Sequence, residues 1–356
     1  MSIHCIVATC SVTSLCVQND TEYRQYVLGA ALTGTCVLGL AGNAVSLCVL
    51  LHPQMRGSSV NCGLQGLAVF DSLVLASAAL ALGLPALALG LPALLPYRRR
   101  WHAWLVPLVY PLGLIAQTGS VWTTVGVTLE RYVAVCHPLR ARSLCTQRRA
   151  RVALLTVAAF SLVYNAPRFF EVYCTEIPSE NGDNQTVLVA LPTPFRRDPH
   201  YVQVYYIWLY LLVMYFVPFA LLFALNALIW RTVQSATRSR NRLTCSQRHE
   251  IGLALMLFCV VVIFFVCNLL GMVANILEHF QVYWKELVDV SNLLVSINSS
   301  VNFIIYCLFG KKFRRILGGM LLRCCPFSAR ADRDLQSIRL RQTSVLHSFN
   351  GTTSRI

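Results

Sequence analysis

Seven stretches of this chain are apolar for long enough to cross a lipid bilayer, and that number constrains the fold more than any other feature. They cover roughly 27–51, 61–90, 104–136, 150–167, 203–230, 250–277 and 286–309. A hydrocarbon core of about 30 Å needs roughly 20 helical residues. Within it a spanning segment must satisfy its own backbone N–H and C=O groups, which a helix does. The expected fold is all-α, a seven-transmembrane-helix bundle. Composition agrees: 13% of residues are charged and 56% hydrophobic, whereas a soluble domain carries about 25% charge.

Charge sets the orientation. With the N-terminus outside, the inner loops and tail hold 22 of the 30 Lys and Arg residues, while 10 of the 15 acidic residues fall outside. Cytoplasmic loops carry the excess of Lys and Arg, so an extracellular N-terminus is expected. Arg98-Arg99-Arg100 is a local exception, read as a hydrated turn. The net charge of +15 does not point to nucleic acid, because the basic residues lie in short runs between apolar segments and no basic groove interleaved with aromatics is evident. The opening MSIHCIVATC has neither a basic region nor a long apolar core, so the first span is expected to act as the insertion signal. Asn19-Asp20-Thr21 and Asn184-Gln185-Thr186 are acceptor sequons in outer segments. Asn298-Ser299-Ser300 and Asn350-Gly351-Thr352 also match, but they fall in a span and in the cytoplasmic tail. Of the 15 cysteines, only Cys5, Cys10, Cys16 and Cys174 face an oxidising compartment, and sequence does not choose among their pairings. Cys324-Cys325 follows a basic amphipathic stretch, a setting compatible with palmitoylation or with two unmodified thiols.

Polar residues inside the spans carry the functional argument, because an ionisable group in hydrocarbon is costly. Asp71 lies mid-span in LQGLAVFDSLVL and must face the bundle interior. Its candidate partners are Asn43, Ser120 and the cluster SINSSVNFIIY. There Asn298, Asn302 and Tyr306 share one helical face, with Ser299 beside it. A carboxylate, hydroxyls and amide oxygens together describe either a small hard-cation site or an interhelical hydrogen-bond network. Glu130-Arg131 closes the third span, followed by Tyr132 and then Pro138-Leu139, and Glu250 opens the sixth. Arg131 is either a snorkelling surface group or a latch between two helices that gives a two-state element.

Taken together, Gly42-Asn43, Leu67-Ala68-x-x-Asp71, Glu130-Arg131-Tyr132, Pro138, Pro218 and Asn302-x-x-x-Tyr306 followed by Phe313 resemble the rhodopsin-like (class A) G-protein-coupled receptors. The resemblance covers about residues 27–325. More narrowly, TLERYVAVCHPLRARSLCT, SLVYNAPRFFEV and SNLLVSINSSVNFIIY are similar to the invertebrate FMRFamide-receptor group. The resemblance implies a sodium pocket at Asp71, Ser120, Asn298, Ser299 and Asn302. It implies an ionic lock between Arg131 and Glu250, a G-protein-facing set of Glu130, Tyr132, Pro138, Leu139 and Tyr306, and a core relay of Val121, Pro218 and Phe264. Residues 1–26 would be the extracellular segment, 27–309 the bundle, 310–323 an amphipathic eighth helix on the membrane surface, and 324–356 a flexible cytoplasmic tail. The implied partners are an extracellular peptide, a heterotrimeric G protein, arrestin, a receptor kinase and membrane lipids, in the plasma membrane.

The chain departs from the family pattern in several places. No cysteine lies between Trp104 and Val109, so Cys174 lacks its ordinary partner and an N-terminal cysteine is a candidate substitute. The sixth span lacks the usual tryptophan and proline, and Phe303 stands where proline is typical. Those two helices should be less kinked. Gly113 occupies the place of the aspartate that holds amines in aminergic receptors, which argues against an amine ligand. The expected ligand contacts are Glu171, Glu278 and Asp289, as partners for a ligand arginine, with Gln117, Tyr206, Tyr210, Asn275 and Asn292 around an aromatic-walled cavity. An Arg-Phe-amide terminus fits that chemistry. A transporter would show an internal repeat, and none is evident. Motifs such as HExxH or GxSxG are absent, which disfavours a membrane enzyme. A receptor that does not couple is the third reading.

Overall fold

The computed structural model describes residues 22–178, 186–238, 245–280, 282 and 284–324. Asn19, Asn184, Cys325 and the N-terminal cysteines lie outside these, as do the side chains of Glu250 and Cys324. Among the described residues, seven helices are long and apolar enough to span a membrane: Glu22–Leu50, Ser59–Leu87, His102–Cys136, Gln147–Phe170, Tyr201–Ser235, Phe258–His279 and Lys285–Phe309. They are called here the first to seventh spans. The end of the bundle where the first span begins is called upper.

The third span is the hub, packing against the second, fourth, fifth and sixth, while the seventh packs against the first, second and sixth. Lipid tails are as apolar as leucine, so close approach through small residues drives such packing. Gly39 lets Ser300 in so closely that a Cβ there would lie 2.6 Å from the serine Cβ, and a Cβ added at Gly42 would lie only 3.1 Å from Phe303 Cβ. Proline leaves visible marks. The π-helical turns Ala79–Gly83 and Leu212–Phe216 directly precede Pro85 and Pro218, whose missing N–H and bulky ring displace the preceding carbonyls. The proline-free sixth and seventh helices run as unbroken α-helix over Cys245–His279 and Lys285–Phe309.

Two local elements lie between the spans. Arg98-Arg99-Arg100 belongs to a π-helical turn, Tyr97–Trp101, that leads into the third span; the Tyr97 hydroxyl fastens it by donating to Leu80 O at 2.7 Å. After the fourth span, strand β1 (Val172–Pro178) pairs antiparallel with β2 (Thr186–Pro192), Cys174 opposite Ala190. Cys174 is a free thiol that donates to Ala103 O at 2.8 Å, and burial raises its pKa. The hairpin thus meets the start of the third span where the family's usual cysteine is missing.

The chain divides into two compact units, residues 1–309 and 310–356. Within the second, Lys311–Cys324 is helical. Its sequence places Phe313, Ile316, Leu317 and Met320 at helical spacing, with Lys311, Lys312, Arg314 and Arg315 around them.

Candidate functional site

Three polar groups occupy different depths of the bundle. The uppermost lines a cavity between the third, fifth, sixth and seventh spans. Gln117, Tyr206, Tyr210, Asn275, Glu278 and Asn292 all face it, joined by Tyr110, Leu114, Tyr215 and Arg168. Its free volume is about 40 Å³, space for a few waters. A peptide side chain therefore enters only as this wall rearranges.

Two of the expected ligand contacts, Glu171 and Asp289, are not among the residues that line this cavity. Glu171 is fully buried, and resident groups already hold it. Arg168 Nη1 lies 2.9 Å from Oε1, the Tyr201 hydroxyl donates to the same oxygen at 2.6 Å, and Arg196 Nε approaches Oε2 at 3.7 Å. Asp289 is fully buried as well, with Arg24 Nε 3.7 Å from Oδ2. A carboxylate withdrawn from water requires such partners, and resident arginines supply them in both cases. Glu278 is the acidic side chain among the cavity-lining residues.

The residues that the sequence reading missed are the arginines. Arg168 is 2% exposed, and its guanidinium stacks over Tyr206 at 4.5 Å and Tyr205 at 4.9 Å. Arg196 lies over the same Tyr206 ring, 3.6 Å from its centroid. Cation–π contacts of this kind gain strength when desolvated. One signal was available: Arg168 and Glu171 stand three residues apart with opposite charge.

At mid-depth, Asp71 is fully buried. Ser120 Oγ donates to Oδ1 at 2.6 Å and Asn302 Nδ2 to Oδ2 at 2.7 Å, with the Ser299 side chain alongside. Asn43 Nδ2 reaches Ser299 O at 3.1 Å, leaving Asn43 Oδ1 buried without a hydrogen bond. Asn298 is half-buried and makes neither of these two bonds to Asp71. Ser296 and Ser300 turn back on their own helix, donating to Asn292 O at 3.0 Å and Ile297 O at 2.8 Å. Beside this layer, Val121 and Phe264 belong to the buried core of the third, fifth and sixth spans, and Pro218 is buried too.

At the lower end Arg131 is 4% exposed, with Nη2 3.6 Å from Glu130 Oε1. Glu130 also accepts from Ser59 Oγ. Glu250 lies on the sixth helix, but its side chain is outside the described residues. Tyr306 is buried. The Tyr132 hydroxyl meets His137 Nε2 at 3.2 Å. Pro138 begins a short helix, Pro138–Leu144, a position where its absent N–H costs nothing. Next to it Leu139 is 86% exposed.

Comparison with known proteins matches this arrangement to a class. Residues 42–306 fit the sequence pattern of the 7 transmembrane receptor (rhodopsin family). The chain belongs to the rhodopsin family of seven-transmembrane receptors, a family of multi-pass membrane receptors and not of enzymes. It is 42% identical over 328 residues to the FMRFamide receptor of Drosophila melanogaster, covering 92% of this chain and 58% of that one. It is 34% identical over 320 residues to the FMRFamide peptide receptor frpr-18 of Caenorhabditis elegans, covering 85% and 70%. The thyrotropin-releasing hormone receptor of Mus musculus is 27% identical over 313 residues, covering 78% and 75%. The chain thus spans little more than half the length of the Drosophila receptor.

Proposed function

We propose that this chain is a cell-surface receptor for a short FMRFamide-like peptide, carrying the binding event to a heterotrimeric G protein. The observation that carries the reading is the upper cavity, where one carboxylate, Glu278, sits among tyrosines and amide side chains. A ligand arginine would pair with Glu278 through charge-assisted hydrogen bonds, while the tyrosine walls take the aromatic ring. The names of the Drosophila and Caenorhabditis relatives support the same ligand class.

Entry of the peptide would separate the tyrosines of the third, fifth and sixth spans and repack Val121, Pro218 and Phe264 beneath them. Arg131 would then leave Glu130, and in the ionic-lock reading Glu250, opening a lower groove beside Tyr306. Leu139, exposed next to that end, is an apolar contact for the G protein. Arrestin and a receptor kinase would act on the hydroxyl-rich tail. The chain would reside in the plasma membrane, and the charge asymmetry supports an N-terminus that faces outside. Glycans on Asn19 and Asn184 and acyl chains on Cys324 and Cys325 complete the proposal.

The residues around Asp71 fit a sodium ion: Asp71, Ser120, Ser299 and Asn302 supply hard oxygens, and Asn43 Oδ1 is an orphaned acceptor nearby. Bound there, sodium would supply a positive charge that neutralises the buried carboxylate in the resting arrangement. Guanine-nucleotide exchange by a panel of G proteins, driven by an amidated-peptide library in membranes bearing the receptor, tests the function. Exchange evoked by Arg-Phe-amide peptides is the expected result. Peptide binding without exchange on any G protein favours a non-coupling receptor, a reading motivated by the sixth span's missing tryptophan and proline.

A further inference from the structure

The connection from the third span into the fourth carries Arg140, Arg142, Arg148, Arg149 and Arg151, and no acidic residue lies between Glu130 and Glu171 to offset them. Arg151 turns to Cys62 of the second span. Arg148 and Arg149 line instead a second cavity, at the lower end of the bundle, with Ser143, Thr146, Val152 and Ala153. Its free volume is about 560 Å³, the room of a small-molecule site. Both arginines are exposed, and among the described residues neither enters an ion pair.

The surroundings narrow what this cavity takes. Val152 and Leu155, on the next turns of the fourth span, are 56% and 70% exposed, so the surface that continues from the cavity meets acyl chains in a bilayer. A soluble acidic segment would have to dock against that lipid-covered face. Guanidinium forks match phosphate bidentately, and a phosphate monoester carries about −1.5 to −2 charge, enough to satisfy more than one arginine. The hydroxyls have complementary capacity to spare. Ser143 Oγ donates to Arg140 O and keeps its lone pairs, while Thr146 Oγ1 accepts from Arg149 N and keeps its proton. A ring bearing both hydroxyls and phosphates uses all of these.

We infer that this cavity is a site for the polyphosphorylated inositol headgroup of an inner-leaflet phospholipid. Basic pockets on the cytoplasmic side of spanning helices suit such headgroups. The inference rests on the reading that places this end of the bundle in the cytoplasm. Bound there, the headgroup joins Ser143 of the short helix Pro138–Leu144 to Arg148 and Arg149 of the fourth span, steadying the helix that presents Leu139.

The test uses the full chain, purified into phosphatidylcholine nanodiscs, and reads energy transfer to a fluorescent phosphatidylinositol bisphosphate as its mole fraction rises. Wild type is expected to saturate. Arg148→Gln with Arg149→Gln should raise the half-saturating fraction about tenfold or more, the loss of charge-assisted contacts. Arg140→Gln with Arg142→Gln removes the same charge outside the cavity and should raise it less than about threefold. Equal shifts in the two double variants overturn the site, leaving only diffuse attraction. Phosphatidylserine that competes as well as unlabelled phosphatidylinositol bisphosphate overturns the headgroup, and soluble inositol trisphosphate that binds as tightly as the lipid overturns the lipid. All four side chains are exposed, so these substitutions leave the packed core untouched. Both faces of a nanodisc meet solvent, so the result is independent of orientation, which the accessibility of a C-terminal tag on intact cells decides separately.

Discussion

Three carboxylates near the upper end look alike in sequence and differ in what surrounds them. Glu278 lines the cavity, whereas Glu171 and Asp289 are buried against resident arginines. Their mutants should part accordingly. Glu278→Gln should weaken an arginine-bearing peptide about tenfold, the loss of one charge-assisted bond, and leave an analogue with the arginine replaced by norleucine unaffected. Equal losses for the two peptides in competition binding would contradict the pairing. Glu171→Gln should act on stability instead, because it strands two buried guanidinium groups, at a cost of about 3–5 kcal/mol for a broken buried pair. Thermal denaturation of the solubilised receptor is the measurement, and an unchanged midpoint would count against it. Sequence could show that these carboxylates sit at or near the upper ends of the spans. It could not show their pairing, since Asp289 meets Arg24, a residue from the far end of the chain.

At the scale of elements, the seventh helix shows how much a polar pattern reveals. The shared face of Asn302 and Tyr306 and the need of Asp71 for partners were readable from spacing and from the cost of burial, and Asn302 does donate to Asp71. Asn298 shares that spacing without sharing the bond, because a face of a helix is wide and one carboxylate has two oxygens. Ser296 and Ser300 satisfy themselves on their own helix, an outcome that local spacing allows but does not select. The fit of this helix against the first span rests on glycine. Gly39→Ala would press a methyl against Ser300 near its backbone, where no rotamer change relieves it. Overpacking of this kind costs about 1–3 kcal/mol. The melting midpoint of the purified receptor should fall, and a midpoint equal to wild type would show that the helices separate freely. The paired strands Val172–Pro178 and Thr186–Pro192 escaped the sequence reading because they are short and lie beyond the apolar runs that organised it.

For the whole molecule, the apolar runs made the seven spans legible, with boundaries that moved by a few residues where helices project beyond the hydrocarbon. The buried arginine–tyrosine cluster was hidden, since cations over aromatic faces come from elements distant in sequence. The account links the upper cavity to the lower end through Asp71 and the Val121–Phe264 layer. If sodium sits at Asp71 in the resting receptor, raising sodium chloride in place of choline chloride should lower agonist affinity several-fold, and Asp71→Asn should abolish that dependence. Agonist affinity indifferent to sodium in wild type would remove the ion from the account.

The most direct test of the central claim is nucleotide exchange in membranes containing the receptor and purified G proteins, with Phe-Met-Arg-Phe-amide as the added ligand. The account predicts saturable, peptide-dependent exchange on at least one G protein, shifted about tenfold to higher peptide concentration by Glu278→Gln. Exchange that is the same with and without Arg-Phe-amide peptides, across the whole G-protein panel, would contradict it.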